Sequence, residues 1–307
     1  AGYEVTFNPN GGEGEMFNQI FEFDIAKQLY TNTYTKLGYK FTSWNTKADG
    51  TGENYSNKGI VTNLTDKNET ITLYAQWVPI SYEIKFVGND VVGEMPNQIF
   101  KYDVKSSLVA NAYTKEGYKF IGWNTMLDGS GSVYNDGDDI FNLTDKDGSI
   151  IYLYAQWVPI QYTVQFNSNG GEGEMSDDVF EYGHLYNLSF NKFTRYGYNF
   201  VNWNTKADGT GYYYNDNSEV SNLLDKNATL VLYAQWEAIE YEVRFDANGG
   251  DGQMLNQHLT YDKVDYLEKN KFTNNGYTFI GWNTMIDGSG TSYDDEAEVL
   301  NILDVDG

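Results

Sequence analysis

Residues 3–7 read Tyr-Glu-Val-Thr-Phe, and close copies of this stretch return at residues 82–86, 162–166 and 241–245. The copies begin at positions 3, 82, 162 and 241, so they are 79, 80 and 79 residues apart. In each copy apolar residues alternate with polar ones, which predicts a strand with one buried face. Solenoid units of roughly 20–45 residues cannot fold alone, whereas a unit of this length can own a core. The sequence therefore predicts small domains in tandem.

The repeats have predicted bounds of 1–79, 80–159, 160–238 and 239–307, and we number them repeats 1 to 4. A closing motif, Leu-Tyr-Ala-Gln-Trp, ends the first three copies at 73–77, 153–157 and 232–236. This motif does not occur in repeat 4, so we expect repeat 4 to stop before its last strand. The linkers between repeats are four residues long, and two of the three contain proline. Short linkers with proline are stiff, which favours an elongated rod.

The composition excludes several classes of function. The chain carries 44 acidic and 20 basic side chains, a net charge of −24, or about −6 per repeat, which suits a soluble domain. This balance argues against binding to nucleic acids, whose phosphates need a basic face, and against binding to anionic membrane surfaces. No stretch approaches the roughly 18–20 apolar residues of a membrane span, so we expect no membrane insertion in this segment. The chain has no cysteine, so its cores must depend on packed apolar side chains.

Within repeat 1, turn and strand signals follow one another closely. Asn10-Gly11-Gly12 is a turn, and residues 19–23 are predicted to return as the hairpin partner of the first strand. Residues 26–36 could hold one helical turn or an irregular crossover. Residues 59–64 carry apolar side chains three and four apart, which predicts one or two helical turns. Residues 71–77 alternate cleanly and predict a closing strand that lies beside the first.

Candidate residues for chemistry are few. His184 and His258 fall at different places in their repeats, so they form no shared catalytic or metal site. The Asp-Gly-Ser/Thr-Gly turns invite a calcium interpretation, with these candidate ligands in repeat 2: Asp128, Ser130, Ser132, Asp136 and Asp139. The spacing lacks the closing glutamate of an EF-hand, and a plain hairpin turn is favoured. We therefore predict no catalytic residue, no cofactor site and no metal site.

Recurring aromatic residues have two interpretations, as a core or as a platform for sugars. Their fixed positions within strands predict core residues, namely Trp44, Trp123, Trp203 and Trp282. The exception is the pair Tyr212 and Tyr213, because the other repeats are mostly polar at these positions. An aromatic pair in polar surroundings is a candidate exposed contact.

Three motifs recur together: Gly-Tyr-x-Phe-x-x-Trp-Asn-Thr, then Asp-Gly-Ser/Thr-Gly, then Leu-Tyr-Ala-Gln-Trp. Their combination resembles the Listeria–Bacteroides repeat, also called the internalin-type B-repeat. The resemblance covers essentially the whole chain. It implies a β-rich α+β fold of tandem β-grasp-like modules, similar to ubiquitin or SUMO. It also implies a protein secreted to the bacterial cell surface or cell wall, and it supplies no catalytic residues.

These observations predict a non-enzymatic stalk or adhesive segment whose nearest partners are neighbouring repeats. The alternative is a multivalent array in which each repeat weakly binds a glycan or a host protein. A binder should repeat an exposed set of side chains, whereas the outward positions of the first strand vary freely: Glu4, Glu83, Thr163 and Glu242 at one, Thr6, Lys85, Gln165 and Arg244 at another. This variation favours the spacer.

Overall fold

Every regular element among residues 1–304, the part of the chain that the computed structural model describes, is a β-strand. Two compact units divide the chain, residues 1–158 and 159–307, and each unit contains two of the predicted repeats. In repeat 1 the strands are β1 Gly2–Asn8, β2 Gln19–Glu22, β3 Lys27–Gln28, β4 Tyr39–Asn45, β5 Asn54–Tyr55, β6 Ile60–Val61 and β7 Thr70–Pro79. In repeat 2 they are β8 Ser81–Val87, β9 Gln98–Lys101, β10 Ser106–Ser107, β11 Tyr118–Asn124, β12 Val133–Tyr134, β13 Asp139–Ile140 and β14 Ile150–Pro159.

The second unit repeats this series. In repeat 3 the strands are β15 Gln161–Asn167, β16 Asp178–Glu181, β17 Tyr186–Asn187, β18 Tyr198–Asn204, β19 Tyr213–Tyr214, β20 Glu219–Val220 and β21 Thr229–Ala238. In repeat 4 they are β22 Glu240–Val243, β23 Gln257–Thr260, β24 Asp265–Tyr266, β25 Trp282–Asn283, β26 Ser292–Tyr293 and β27 Glu298–Val299.

Repeats 1 to 3 each form one five-stranded sheet and one small ribbon. The sheet of repeat 1 has the order β2-β1-β7-β4-β5, and the ribbon pairs β3 with β6. At the centre of the sheet β1 lies parallel to β7, and the remaining neighbours are antiparallel. Corresponding strands give the same order in repeats 2 and 3. The predictions that the closing strand lies beside the first strand and that residues 19–23 form its hairpin partner are therefore confirmed.

The core of repeat 1 follows from the alternation of its central strands. Tyr3, Val5 and Phe7 are buried on one face of β1, while Leu73 and Ala75 are buried on the same face of β7. The parallel register places Phe7 directly opposite Leu73. Burying apolar side chains from adjacent strands in this way is the main stabilising contribution available to a domain without disulfides.

The helical component of the predicted α+β class is not found among residues 1–304. Residues 59–64, predicted to be helical, instead contain the strand β6, so this prediction is wrong. Lys58 and Asn63 flank the strand with φ angles of 57° and 51°, and left-handed residues on both sides prevent a helix from extending. For residues 26–36 the crossover alternative holds, because β3 is followed by irregular chain.

A tryptophan surrounded by aromatic rings lies at the centre of each complete sheet. Trp44 is fully buried, and its ring centroid lies 4.8 Å from Phe7, 5.0 Å from Phe41 and 6.1 Å from Tyr34. Equivalent rings surround two further tryptophans at similar distances, those of Trp123 and Trp203. Both are also fully buried.

The prediction that all four tryptophans are buried core residues holds only in part for Trp282, which packs against the core of repeat 4. This tryptophan keeps its ring neighbours, Phe245 at 4.8 Å and Phe279 at 4.8 Å, but it is only half-buried. Within residues 239–304 the strands form separate pairs, β22-β23, β24-β27 and β25-β26, and no strand joins β22 to β25. The leucine and alanine that cover the other tryptophans from the closing strand are therefore not beside Trp282.

Candidate functional site at the junctions between repeats

The residues weighed as calcium ligands have separate partners. Asp128 accepts two hydrogen bonds from Ser130, at 3.0 Å from its amide and 2.6 Å from its hydroxyl. Asp136 accepts the amide of Asn111 at 2.7 Å. Asp139 pairs with Lys105 at 2.7 Å, while Ser132 donates its amide to Thr125. Across residues 1–304, no three histidine or carboxylate side chains gather as a metal site.

The Asp-Gly-Ser/Thr-Gly motif forms hydrogen bonds that stabilise its own turn. In repeat 1 the buried Asn45 donates its side-chain amide to the carbonyls of Gly50 and Gly52, both at 3.1 Å, and accepts the amide of Lys47 at 2.8 Å. Asp49 accepts the hydroxyl of Thr51 at 2.7 Å, which lowers the pKa of the Asp49 carboxyl. Asparagine and aspartate thus satisfy the polar groups of the loop from within.

Both tyrosines of the candidate contact pair are exposed, but only the second lies in a strand. Tyr212 is 81% exposed and Tyr213 is 67% exposed. Tyr213 lies in β19 opposite Asn204, and Tyr212 precedes it. The two tyrosines therefore belong to different local structures, a loop and a strand. The histidines are also apart: His184 lies near the Tyr182 carbonyl at 3.3 Å, and His258 lies in β23.

The most elaborate polar arrangement lies where two repeats join in the first unit. Strand β7 runs to Pro79 and β8 begins at Ser81, so Ile80 alone connects them. The Ile80 amide donates to the Gly38 carbonyl at 2.9 Å, and the Ile80 carbonyl accepts the Tyr102 amide at 3.1 Å. Only 3% of Ile80 is exposed. The connection is therefore bonded into both repeats and is not a free linker.

Three side chains complete this junction. Tyr39, at the start of β4 in repeat 1, donates its hydroxyl to Oδ2 of Asp103 in repeat 2 at 2.9 Å. Asn142 donates its side-chain amide to Asp103 Oδ1 at 2.8 Å and accepts the Asp103 backbone amide at 2.6 Å. The Asn142 amide, and after it the Tyr39 hydroxyl, lower the pKa of Asp103. The hydrogen bond to the carboxylate raises the pKa of Tyr39.

Close ring packing requires the glycine before Tyr39. Gly38 is buried with a φ of 74°, and a Cβ at this position would lie 2.1 Å from the Tyr102 ring. The Tyr39 and Tyr102 rings meet edge to face at 6.1 Å, a favourable aromatic geometry. Lys36 places its ammonium 4.3 Å from the centroid of the Tyr39 ring, which adds a cation–π contact.

The same junction recurs in the second unit between repeats 3 and 4. Tyr198 donates its hydroxyl to Asp262 Oδ2 at 2.7 Å, and Asn301 donates to Asp262 Oδ1 at 2.8 Å. The Ile239 amide bonds to the Gly197 carbonyl at 3.0 Å. A Cβ on Gly197 would lie 2.2 Å from the neighbouring tyrosine ring. Arg195 replaces lysine over the Tyr198 ring at 3.9 Å.

The periphery of the junction differs between the units. In the first unit Lys40 forms an ion pair with Asp147 at 2.9 Å, and Asp147 also accepts the Ser81 amide at 3.0 Å. In the second unit Tyr196 packs edge to face on Tyr261 at 5.9 Å and donates a hydrogen bond to Asp304, which raises the pKa of Tyr196. The shared centre with variable edges indicates that the tyrosine, the aspartate and the asparagine define the junction.

One repeat shows that the junction loop folds without the aspartate. At the position of Asp103 in repeat 2, repeat 3 has Gly183, whose amide donates to Asn222 Oδ1 at 2.6 Å. This is the bond that the Asp103 amide makes to Asn142. The loop geometry therefore depends on the asparagine, while the carboxylate accepts a hydrogen bond from the tyrosine of the preceding repeat.

The sequence contains a recurring signal for this site that sequence patterns alone did not reveal as a contact between repeats. Gly-Tyr occurs at the same place in every repeat, at 38–39, 117–118, 197–198 and 276–277. Aspartate and asparagine recur 39 residues apart in repeats 1, 2 and 4. Gly38-Tyr39 lies at the start of strand β4, and a strand start does not by itself reveal a partner in another repeat.

Comparison with known proteins places these features in a family. Residues 3–76, 82–156, 162–235 and 241–304 match the sequence profile described as the Listeria-Bacteroides repeat domain. Two curated relatives come from Evansella cellulosilytica. One, named "Putative Gly-rich membrane protein", is 34% identical over 253 residues, covering 81% of this chain and 28% of the relative.

The second relative, named "Putative membrane protein", is 30% identical over 303 residues, covering 95% of this chain and 41% of the relative. The chain thus spans less than half the length of either protein. Within residues 1–304 no helix is long and apolar enough to cross a membrane.

Proposed function

Because the chain belongs to the Listeria–Bacteroides repeat domain family, we propose that it is a non-enzymatic spacer segment of a bacterial surface protein. In this proposal the junctions fix neighbouring repeats relative to one another. The array thereby sets the distance between the parts of the polypeptide on its two sides. Neighbouring repeats are its principal partners. The observation that carries the proposal is the recurrence of one junction, with the same donor and acceptor atoms, in both units.

In this proposal repeats 1 to 3 are each a β-grasp-like module. The support is the sheet order, in which the first and last long strands lie parallel at the centre and the second strand forms one edge. The ribbon of β3 and β6, with the irregular chain that follows β3, takes the place where a helix was expected. The aromatic core around Trp44 then stabilises the sheet without a helix.

The location at the cell surface rests on the relatives and on the composition. Both relatives are named as membrane proteins and are longer than this chain, which suits a segment held outside the cell by other parts of a longer polypeptide. A net charge of −24 keeps such a segment soluble and limits nonspecific association. A chain without cysteine needs no oxidation to fold outside the cell.

The junction role can be tested with a matched pair of variants. Tyr39→Phe removes the hydroxyl that bonds to Asp103, whereas Tyr277→Phe removes the equivalent hydroxyl in repeat 4, where the tyrosine is 78% exposed. We expect Tyr39→Phe to speed hydrogen exchange at the Ile80 and Tyr102 amides and Tyr277→Phe to leave them unchanged. Equal exchange in both variants would contradict the proposed function.

The alternative of a multivalent binding array receives less support. The exposed pair of Tyr212 and Tyr213 occurs in one repeat, with Tyr213 in β19 and Tyr212 in the loop before it. A glycan and host-protein array screen is the direct test. Binding that is lost in the Tyr212→Glu variant would favour the alternative, and we expect no such binding.

A further inference from the structure

Repeats 2 and 4 share a loop sequence that repeats 1 and 3 do not have. After the core tryptophan, repeats 2 and 4 read Asn-Thr-Met-Leu at 124–127 and Asn-Thr-Met-Ile at 283–286, whereas repeats 1 and 3 both read Asn-Thr-Lys-Ala. Before the tryptophan, repeats 2 and 4 have Ile-Gly, while repeats 1 and 3 have Thr-Ser and Val-Asn. The pattern therefore has a period of two repeats, and each compact unit contains one such loop.

The apolar side chains of these two loops are exposed. We call each set the methionine patch, which consists of Ile121, Met126 and Leu127 in repeat 2 and of Ile280, Met285 and Ile286 in repeat 4. Between 52% and 81% of each of the four loop side chains is exposed, and both strand isoleucines are exposed as well. Clustered exposed apolar side chains on a soluble protein mark interaction sites.

The loop does not need these apolar side chains to fold. In repeat 2, Asn124 donates to the Gly129 carbonyl at 2.9 Å and accepts the Met126 amide at 2.8 Å. In repeat 3, Asn204 makes the same two bonds at 3.1 and 2.9 Å, with Lys206 in place of the methionine. The loop closes in the same way around Lys-Ala as around Met-Leu, so the turn itself does not require the methionine patch.

The strand beside the loop changes together with it. Gly122 and Gly281 have φ angles of 138° and 142°, a conformation that favours glycine. A Cβ on Gly122 would lie 2.8 Å from the Tyr134 carbonyl oxygen. The equivalent residues of repeats 1 and 3, Ser43 and Asn202, do not have a positive φ. The backbone that carries the patch isoleucine is therefore specific to repeats 2 and 4.

The strand part and the loop part of the patch border the same side chain. In repeat 1, Ser43 pairs with Gln76, so Gly122 at the same position of repeat 2 lies opposite Gln156. In the loop, a Cβ on Gly129 would lie 3.0 Å from Gln156 Oε1. The isoleucine before Gly122 and the Met-Leu loop thus lie at the same end of the hairpin and form one surface.

We propose that the methionine patches bind the methionine patches of a second copy of this chain, apolar surface against apolar surface. Methionine in place of the lysine of repeats 1 and 3 removes a positive charge, which favours an apolar partner over an acidic one. Its flexible side chain adapts to such a partner. The inference goes beyond the proposed function, because a spacer needs only its cores and its junctions.

The size and the period of the patches select a second copy as the occupant. Three partly exposed side chains fall well short of the roughly 800 Å² per partner that a stable interface buries, so one patch alone binds weakly. A tight partner must therefore engage both patches. A second copy offers two patches with the same period of two repeats, and bivalent contact multiplies weak affinities.

The charge of the chain determines how this association depends on salt. Each copy carries a net charge of −24, so two copies repel each other at low ionic strength. The Debye length falls from about 10 Å at 0.1 M to about 3 Å at 1 M, which screens the repulsion and leaves the apolar contact intact. Association should therefore strengthen several-fold as sodium chloride is added, whereas an interface held by ion pairs would weaken.

The test is sedimentation equilibrium of the whole chain at concentrations up to about 1 mM, in low and high salt. We expect a dimer that forms more readily in high salt. The combined changes Met126→Lys, Leu127→Ala, Met285→Lys and Ile286→Ala should abolish it. This variant should fold, because repeats 1 and 3 form the same loop with Lys-Ala. Its two added positive charges reduce the repulsion between copies, so a loss of association reports the loss of apolar contact.

Two further variants make the assignment specific. Met126→Lys with Leu127→Ala, which leaves the patch of repeat 4 intact, should weaken the dimer tenfold or more. Ile99→Thr removes an apolar side chain that is 71% exposed, in β9 at the opposite edge of the sheet from β12. This change should leave the association unchanged. An equal loss in the Ile99→Thr variant would show nonspecific association and overturn the proposal.

Three other results would also overturn it. One is a parent chain that stays monomeric at every concentration and salt, and another is a dimer that survives the four combined changes. The third is binding of a monomeric parent chain to neutral phosphatidylcholine vesicles, lost in the same variant, which would assign the patches to a lipid surface.

Discussion

Trp123 and Trp282 occupy equivalent positions in repeats 2 and 4, yet one is fully buried and the other is half-buried. The Trp123→Ala change should leave a cavity and destabilise repeat 2 by about 3–5 kcal/mol. The Trp282→Ala change should have a smaller effect on repeat 4. Native-state hydrogen exchange at the Leu153 and Leu259 amides measures both effects in one chain. Equal losses in the two repeats would show that burial does not set the contribution of this tryptophan.

Gly38 and Gly276 offer a second matched pair. Both have positive φ angles, 74° and 81°, so alanine should cost each turn roughly 1–2 kcal/mol of backbone strain. Only at Gly38 would the new Cβ also meet the Tyr102 ring, because the space around Gly276 is open within 4 Å. Gly38→Ala should therefore also release the Ile80 and Tyr102 amides to exchange, and Gly276→Ala should not. If the Ile80 amide exchanged hydrogen at the same rate in the Gly38→Ala variant as in the parent chain, close packing at the junction would be contradicted.

Strands were the elements that the sequence predicted best, because burial on one face imposes a period of two that the residues display directly. The stretch 71–77 could be placed beside residues 3–7 from this pattern. The stretch 59–64 could not be assigned correctly, since apolar spacing within six residues suits a helical turn as well as a strand. The deciding feature was the left-handed backbone at Lys58 and Asn63, and neither residue requires that conformation.

The closing strand can be tested as an element in repeat 4. Residues equivalent to 71–77, appended after a turn like that of the other repeats, should pair with β22 and β25 and cover Trp282. We expect a blue shift in the fluorescence of Trp282 in a chain whose other tryptophans are replaced by phenylalanine, together with protection of the Val243 amide. If Trp282 and Val243 report no change, the parallel pairing at the centre of the sheet does not extend to repeat 4.

At the scale of the molecule, the sequence predicted the repeats but not how they join. Tyr39 and Asp103 are 64 residues apart and belong to different repeats, so no local pattern connects them. Each residue can also be explained locally, Tyr39 as the start of a strand and Asp103 as part of a turn. The junction becomes visible only when the backbone of Ile80 brings the ends of two repeats together.

Acid should weaken the junctions. The folded-state pKa of Asp103 lies below its ordinary value because Asn142 and Tyr39 donate to the carboxylate. Its contribution to stability is therefore complete above the unfolded-state pKa, near 4, and is lost as the pH falls through the folded-state value. The melting temperatures of the parent chain and of Asp103→Gly should differ at neutral pH and converge in acid. A difference that stays constant with pH would exclude the carboxylate as the cause.

The distance between two spin labels in the first unit shows whether the junction holds repeats 1 and 2 in one arrangement. The chain has no cysteine, so Ala48→Cys and Leu127→Cys, both exposed, introduce unique attachment sites in equivalent loops. We expect double electron–electron resonance to give one narrow distance distribution in the parent chain. The distribution should broaden when Gly38→Ala and Asp103→Gly are combined. A broad distribution in the parent chain, unchanged by these substitutions, would contradict a single arrangement of the two repeats.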